Sequence, residues 1–201
     1  PGHRVVGGYD YVGDAYNSSD PNNVTPHPDP DPMDCAGHGT HVAGIVGAKG
    51  TVTGVAPDAI LRAYKVFGCV GTTDTDVMLA AMEQVLADGN QVLNMSIGSA
   101  FSWPQYPAAR GADNLVNRGI IVVASAGNSG ASGLYSMSAP GSMLKRARPF
   151  GSETVMEPWR VQNAHWQART SSSSAPFGPS RTARIPPPGQ LASFRWVGNG
   201  W

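Results

Sequence analysis

An α/β fold built on a parallel sheet, with helices on both faces, is what this sequence predicts. Three observations carry that expectation. The run "GIIVVASAGN" (119–128) is nearly all apolar up to its last few residues, the mark of a strand buried on both faces. Two further segments, "AILRAYKVFG" (59–68) and "QVLNMSIG" (91–98), also read as strands. Between the strands lie helical stretches rather than tight turns, which is how parallel neighbours are joined.

The elements follow in order. "RVVGGYDYVGD" (4–14) holds strand formers that end in a turn. "AYNSSDPNNVTPHPDPDPMD" (15–34) is a polar, proline-rich surface loop with N-x-[ST] sequons at Asn17 and Asn23, a weak sign of secretion. Small and apolar residues over 38–48 suit a closely packed helix. Over 73–89, Met78, Ala81, Met82 and Val85 share one helical face, acidic residues open the helix and Gly89 follows its end. Residues 107–118 read as another helix. In such a sheet, catalytic and binding residues belong at the carboxyl ends of the strands and in the loops beyond.

Composition narrows the classes. With 201 residues and 41% hydrophobic content, the chain can hold one medium domain with a core. No apolar run approaches the roughly 20 residues of a membrane span, so no membrane partner is expected. The net charge of +0 conceals a split. Residues 1–140 balance to −6, six basic against twelve acidic, and residues 141–201 to +6, eight against two. The basic end lacks the interleaved aromatics or helical spacing of a nucleic-acid surface, so no nucleic-acid partner is expected either. The start "PGHRVV" has no Met and no leader, and reads as a cut edge.

Residues 34–48, "DCAGHGTHVAGIVGA", hold the most informative chemistry. His38 and His41 lie three apart, and three readings stand side by side. As metal ligands they lack the i, i+4 spacing, intervening glutamate or third ligand of common zinc sites. "DPDPMD" lacks the glycine and terminal glutamate of a calcium loop, so neither metal nor cofactor is expected. His41, one turn into the helix, suits a histidine satisfied in the core. His38, between two glycines at the start of a helix, is placed to act as a general base.

"GHGTHVAGIVGA" resembles the histidine motif of the subtilisin-like serine proteases, the subtilases. Three more blocks agree in the right order: "GVAPDAILRAYKVFG", "VLNMSIGS" and "IIVVASAGNSG". The flanking "GYDYVGDAYN" and "DPDPMDCAGHGTH" are similar to the larger extracellular branch of that family. The resemblance implies a subtilisin-like doubly wound α/β sheet, a serine-type endopeptidase and a polypeptide substrate bound in extended form.

It also implies roles. His38 is the general base and Asn128 the oxyanion donor. Ser96, Ile97 and Gly98 offer backbone to an extended substrate, Gly68 and Gly71 line the opposing wall, and Ala124, Ala126 and Gly127 leave room for a side-chain pocket. Cys35 and Cys69, the only cysteines, are expected to form a disulfide in an oxidising compartment.

The triad is incomplete. The family's aspartate ends an apolar strand before Ser/Thr-Gly, which neither Asp10 nor Asp14 matches. Its serine lies in Gly-Thr-Ser-Met-Ala, which "RTSSSSAP" (169–176) imitates poorly, so Ser171 is not read as the nucleophile. The sheet is accordingly expected to be incomplete, with exposed apolar surface, and the chain to be inactive alone. The alternative is a non-catalytic, peptide-binding remnant of a protease cleft. Past residue 142 the periodic order stops: four of the five tryptophans, a serine run, a proline run and scattered arginines follow. The expected division is therefore 1–142, a partial catalytic domain, and 143–201, an aperiodic basic tail that is disordered or a non-native continuation.

Overall fold

The computed structural model describes residues 5–144 and the backbone of residues 193–198. Strands β1 (Val5–Asp10), β2 (Ile60–Lys65), β3 (Val92–Met95) and β4 (Ile121–Ala124) alternate with helices α1 (His38–Gly47), α2 (Thr75–Ala87) and α3 (Pro107–Asn117). These are the elements expected over those residues. Proline at the first position of α3 suits a helix start, where its missing N–H has no partner to lose. Gly89 and Gly119, at φ 67° and 88°, lie just beyond α2 and α3 in the left-handed conformation that closes helices.

A fifth strand, β5 (Ser193–Gly198), completes a sheet of order β1-β2-β5-β3-β4 in which all neighbours run parallel. The chain passes from β2 through α2 to β3 and skips one position, and β5 fills it. The sequence reading placed no element in 143–201. Six residues give too short a period to stand out, and what makes this run a strand is the pair of open edges it lies between. The remainder of that region, including Ser171, lies outside the described residues.

Side-chain alternation sends the two faces of the sheet to two cores. Leu61 packs with Ala43 of α1 and with Ala59, while Tyr64, three residues on and therefore on the other face, joins the main core. That core contains Met78, Ala81, Met82 and Val85 of α2, Ala108, Ala109, Ala112 and Leu115 of α3, and Leu93, Met95 and Val122 of the sheet. The helical face expected of α2 is thus the face it buries. On β4, Val122 is buried, whereas Ile121 and Val123 on the opposite face are 47% and 50% exposed. The α1 side of the sheet is therefore uncovered at β4, the incomplete sheet that the sequence implied.

Two ties hold the long loop after β1. Asp10 and Lys65, each 1% exposed, close the ends of neighbouring strands with an Nζ to Oδ2 distance of 2.7 Å, and Asp14 meets the same ammonium. Asp10 Oδ1 also accepts the N–H groups of Val12 and Gly13, so its buried charge is matched on both oxygens. Burial alone would push the Lys65 ammonium down, but its hydrogen bonds to Asp10 and Asp14, and their charges, outweigh it and hold the group above the ordinary lysine range. The second tie is covalent. Cys35 and Cys69 form a disulfide, with Cα atoms 5.0 Å apart and a sequence separation of 34.

Closing a loop of that length contributes on the order of 3–4 kcal/mol. Cys35→Ser with Cys69→Ser is expected to lower the unfolding free energy by about that amount, read as a lower denaturant midpoint with an m-value that rises because the uncrosslinked unfolded chain exposes more surface.

Candidate active site

The helix that carries His38 starts on a left-handed residue, Gly37, at φ 81°. Open space surrounds the position of a Cβ there, so glycine is needed at Gly37 for its backbone angle rather than for room. Asp34 ties the turn down. Its Oδ1 accepts the N–H groups of Ala36 and Gly37 at 2.8 and 2.9 Å, and its Oδ2 accepts the N–H and hydroxyl of Thr40 at 2.8 and 2.7 Å. One carboxylate thus bridges the loop and the first turn of α1, with His38 between its anchor points. His38 is exposed. His41 is exposed too, which corrects the expectation of a core histidine: the helix buries Gly39, Ala43 and Gly47 instead.

Across the carboxyl side of the sheet, three segments are stitched together. Ser125 donates its N–H to the Met95 carbonyl and its hydroxyl to the Ile97 carbonyl at 3.0 and 3.1 Å. Ser138 donates its N–H to the Ala126 carbonyl, and Ser99 and Ala139 exchange both backbone bonds. This stitching brings Ser96, Ile97 and Gly98 beside Ala124, Ala126 and Gly127. Ile97 is buried, Ser96 half-buried and Gly98 exposed. A Cβ on Gly98 would lie 2.7 Å from Ser138 Cβ, and one on Gly127, at φ 92°, 2.1 Å from Ser138 Oγ. Both glycines are therefore required by the approach of Ser138. Asn128 follows in the exposed bend before the 3-10 turn of Gly130–Ser132.

Gly68 and Gly71, expected on an opposing wall, have different surroundings. Gly68 is buried, and a Cβ there would lie 2.2 Å from the Tyr16 carbonyl oxygen. Its bareness serves packing against the loop after β1. Gly71, at φ 94°, is exposed and sits on the side chain of Asn17. Asn17 Oδ1 in turn accepts the N–H groups of Ser19 and Thr72 at 3.0 and 3.1 Å, so this sequon asparagine latches the two loops. Among the described residues, the one cluster of metal-ligating side chains is Asp14 with Cys35 and Cys69, whose sulfurs are bonded to each other.

Sequence reasoning missed three contributors. Asp34 was given no role, although aspartate a few residues before a helix is a recognisable anchor. Ser138 gave no signal, since its role depends on a loop folding back. Lys65 gave no signal either, since its strand also carries Arg62 and nothing local marks which of the two charges is buried.

With this geometry established, the chain belongs to the subtilase family, whose pattern it matches over residues 7–174. It is similar to the minor extracellular protease Vpr of Bacillus subtilis (strain 168), 41% identical over 134 residues, which is 67% of this chain and 16% of that protein. Subtilisin DY of Bacillus licheniformis is 37% identical over 134 residues, 65% of this chain and 43% of its own length. Subtilisin-like protease SBT1.4 of Arabidopsis thaliana is 41% identical over 114 residues, 49% of this chain and 14% of its own. The chain thus spans less than half of each of these relatives. The family match runs beyond residue 142, where the quoted motifs stop, and takes in Ser171.

Burial alone would raise the carboxyl of Asp34, but the four donors from Thr40, Ala36 and Gly37 outweigh it and hold the group below the usual aspartate range. A depressed folded-state value stabilises fully above the unfolded value of about 3.9 and is lost as pH falls through the folded value. Asp34→Ala is therefore expected to lower stability by about 1 kcal/mol near neutral pH. The difference from the parent should vanish in acid, as followed by thermal melts across the range.

Proposed function

We propose that the protein is a serine-type endopeptidase of the subtilisin kind, with His38 as general base. The observation that carries this reading is the arrangement at the carboxyl side of the sheet. His38 stands at a helix start anchored by Asp34, and Asn128 leaves β4 beside the Ser96–Gly98 backbone. His38 takes the proton of the attacking serine hydroxyl and returns it to the leaving amine. The side chain of Asn128 donates an N–H to the oxyanion of the tetrahedral intermediate. The backbone of Ser96, Ile97 and Gly98 pairs with an extended polypeptide, as an added strand does. Ala124, Ala126 and Gly127 leave a side-chain pocket, and exposed Gly71 lies on the opposing wall, with Gly68 supporting it from within.

Neither Asp10 nor Asp14 takes the aspartate's part in this reading, since both are committed to Lys65. In this reading no serine of this chain's motifs is assigned as the nucleophile, and the chain alone is inactive. An extracellular location is supported by the disulfide, which an oxidising compartment maintains, and by the name of the Vpr relative. Among the described residues no helix is long and apolar enough to cross a membrane.

The test has two parts. In the longest polypeptide that carries these residues, casein hydrolysis is expected to be blocked by a fluorophosphonate. His38→Ala should lower kcat on the order of 10⁶-fold and Asn128→Ala about 10²–10³-fold, the magnitudes known for the corresponding residues of subtilisin itself. Hydrolysis that resists the fluorophosphonate and stops with a chelator would replace this reading with a metal-dependent one. The 201-residue chain by itself is expected to take up no fluorophosphonate. Labelling that disappears in His38→Ala would place a nucleophile within it, Ser171 first.

A further inference from the structure

Among the described residues, two that are not glycine have a left-handed backbone, Phe101 at φ 57° and Tyr135 at φ 65°. Both are aromatic, and they are 56% and 70% exposed. A bulky side chain at such an angle is strained, and strain of this kind persists only where the surroundings impose it. Here they do. The two loops pair through both backbone bonds between Ser99 and Ala139, and through the Ser102 N–H to the Met137 carbonyl at 3.0 Å. Ser102, Ser136, Ser138 and Ala139 form a buried base beneath.

On that base, Trp103 from one loop and Tyr135 from the other lie with ring centroids 5.5 Å apart and planes 33° from parallel. Trp103 is 56% exposed, and Leu134 and Tyr106 extend the patch at 73% and 48%. A hydrogen-bonded ladder thus carries a group of apolar side chains that the described residues leave exposed, more like a recognition site than scattered surface residues.

We propose that Trp103 and Tyr135 form a specificity subsite that receives a large apolar or aromatic side chain of the bound peptide. This rests on the peptide-cleft reading above. The location argues for it: Ser99 continues directly from Gly98, and Ser138, which packs on Gly98 and Gly127, belongs to the same ladder. A peptide paired along Ser96–Gly98 therefore runs beside the aromatic pair. The chemistry agrees, because residues 99–106 and 131–139 contain no charged side chain. Such a surface desolvates an apolar group without stranding a charge and offers a charged one no partner. A sugar would also stack on these rings, but Gln105 is the only amide in either loop and there is no carboxylate to hold its hydroxyls.

The test measures binding of fluorescein-labelled hexapeptides to the 201-residue chain by polarisation. In an alanine–serine background, each position in turn carries Phe, Leu, Asp or Lys. Phe or Leu at one position is expected to bind at least about tenfold tighter than Asp or Lys there, the size of one well-buried methylene pair. Trp103→Ala and Tyr135→Gly should each bring that preference within about twofold. Tyr135→Gly separates recognition from folding, since glycine relieves the strained angle and should melt no lower than the parent. A preference that survives both variants would overturn the subsite and leave the peptide cleft standing. Binding of no peptide would overturn the cleft and the subsite together. Binding of a maltooligosaccharide that Trp103→Ala abolishes would overturn the peptide side chain as occupant.

Discussion

All the carboxyl ends of a parallel sheet open on one side, and the candidate site exists because of that constraint. The loop after β3 carries Ser96–Gly98 on this side, the loop after β4 carries Ala126–Asn128, and the helix with His38 packs on the same sheet through Ala43. None of these residues is near another in sequence. The parallel ladder between Val92–Met95 and Ile121–Ala124 sets them side by side, and the serine hydrogen bonds from Ser125 and Ser138 then fix the loops that follow. Strand pairing is thus the scaffold on which the hydrogen-bonded loops, Asn128 and the aromatic pair all depend.

A second constraint comes from burying charge. Lys65 ends its strand inside the protein, where an unpaired ammonium is not tolerated, and it draws Asp10 and Asp14 onto itself. That pairing directs the chain after the first strand into the loop that ends at Cys35. The disulfide to Cys69 closes the loop, and Asn17 fastens its middle to Thr72. A segment of low apolar content, which would otherwise have little reason to order, is thereby held at both ends and at its centre. Asp34, at the far end of this loop, passes that order to the helix start that carries His38.

Much of this was legible beforehand. The strand within 119–128 and the helical face of Met78, Ala81, Met82 and Val85 depend on local periodicity; both formed, but the strand spans Ile121–Ala124 and buries one face rather than the two its apolar run implied. The disulfide was implied by family resemblance, and the structure contains it. Other features were hidden because they arise from meetings between distant segments. His41 lies at a position that periodicity alone does not distinguish as inward or outward, and the sheet takes Gly39, Ala43 and Gly47 instead. Gly68 is buried because the backbone of Asp14–Tyr16 passes over it, a contact no local pattern encodes.

By itself the sequence determined the α/β class, the order of elements up to residue 128 and the family, because short-range periodicity and short motifs are properties of neighbouring residues. The tertiary structure decided which residues meet. It set Asp10 and Asp14 on Lys65, Asp34 under the turn before His38, Ser138 against Gly98 and Gly127, and Trp103 beside Tyr135. It also placed residues 193–198 between two strands that are consecutive in the chain. Each of these depends on long-range pairing, where the gain in hydrogen bonds and burial appears only once segments far apart in sequence have been brought together.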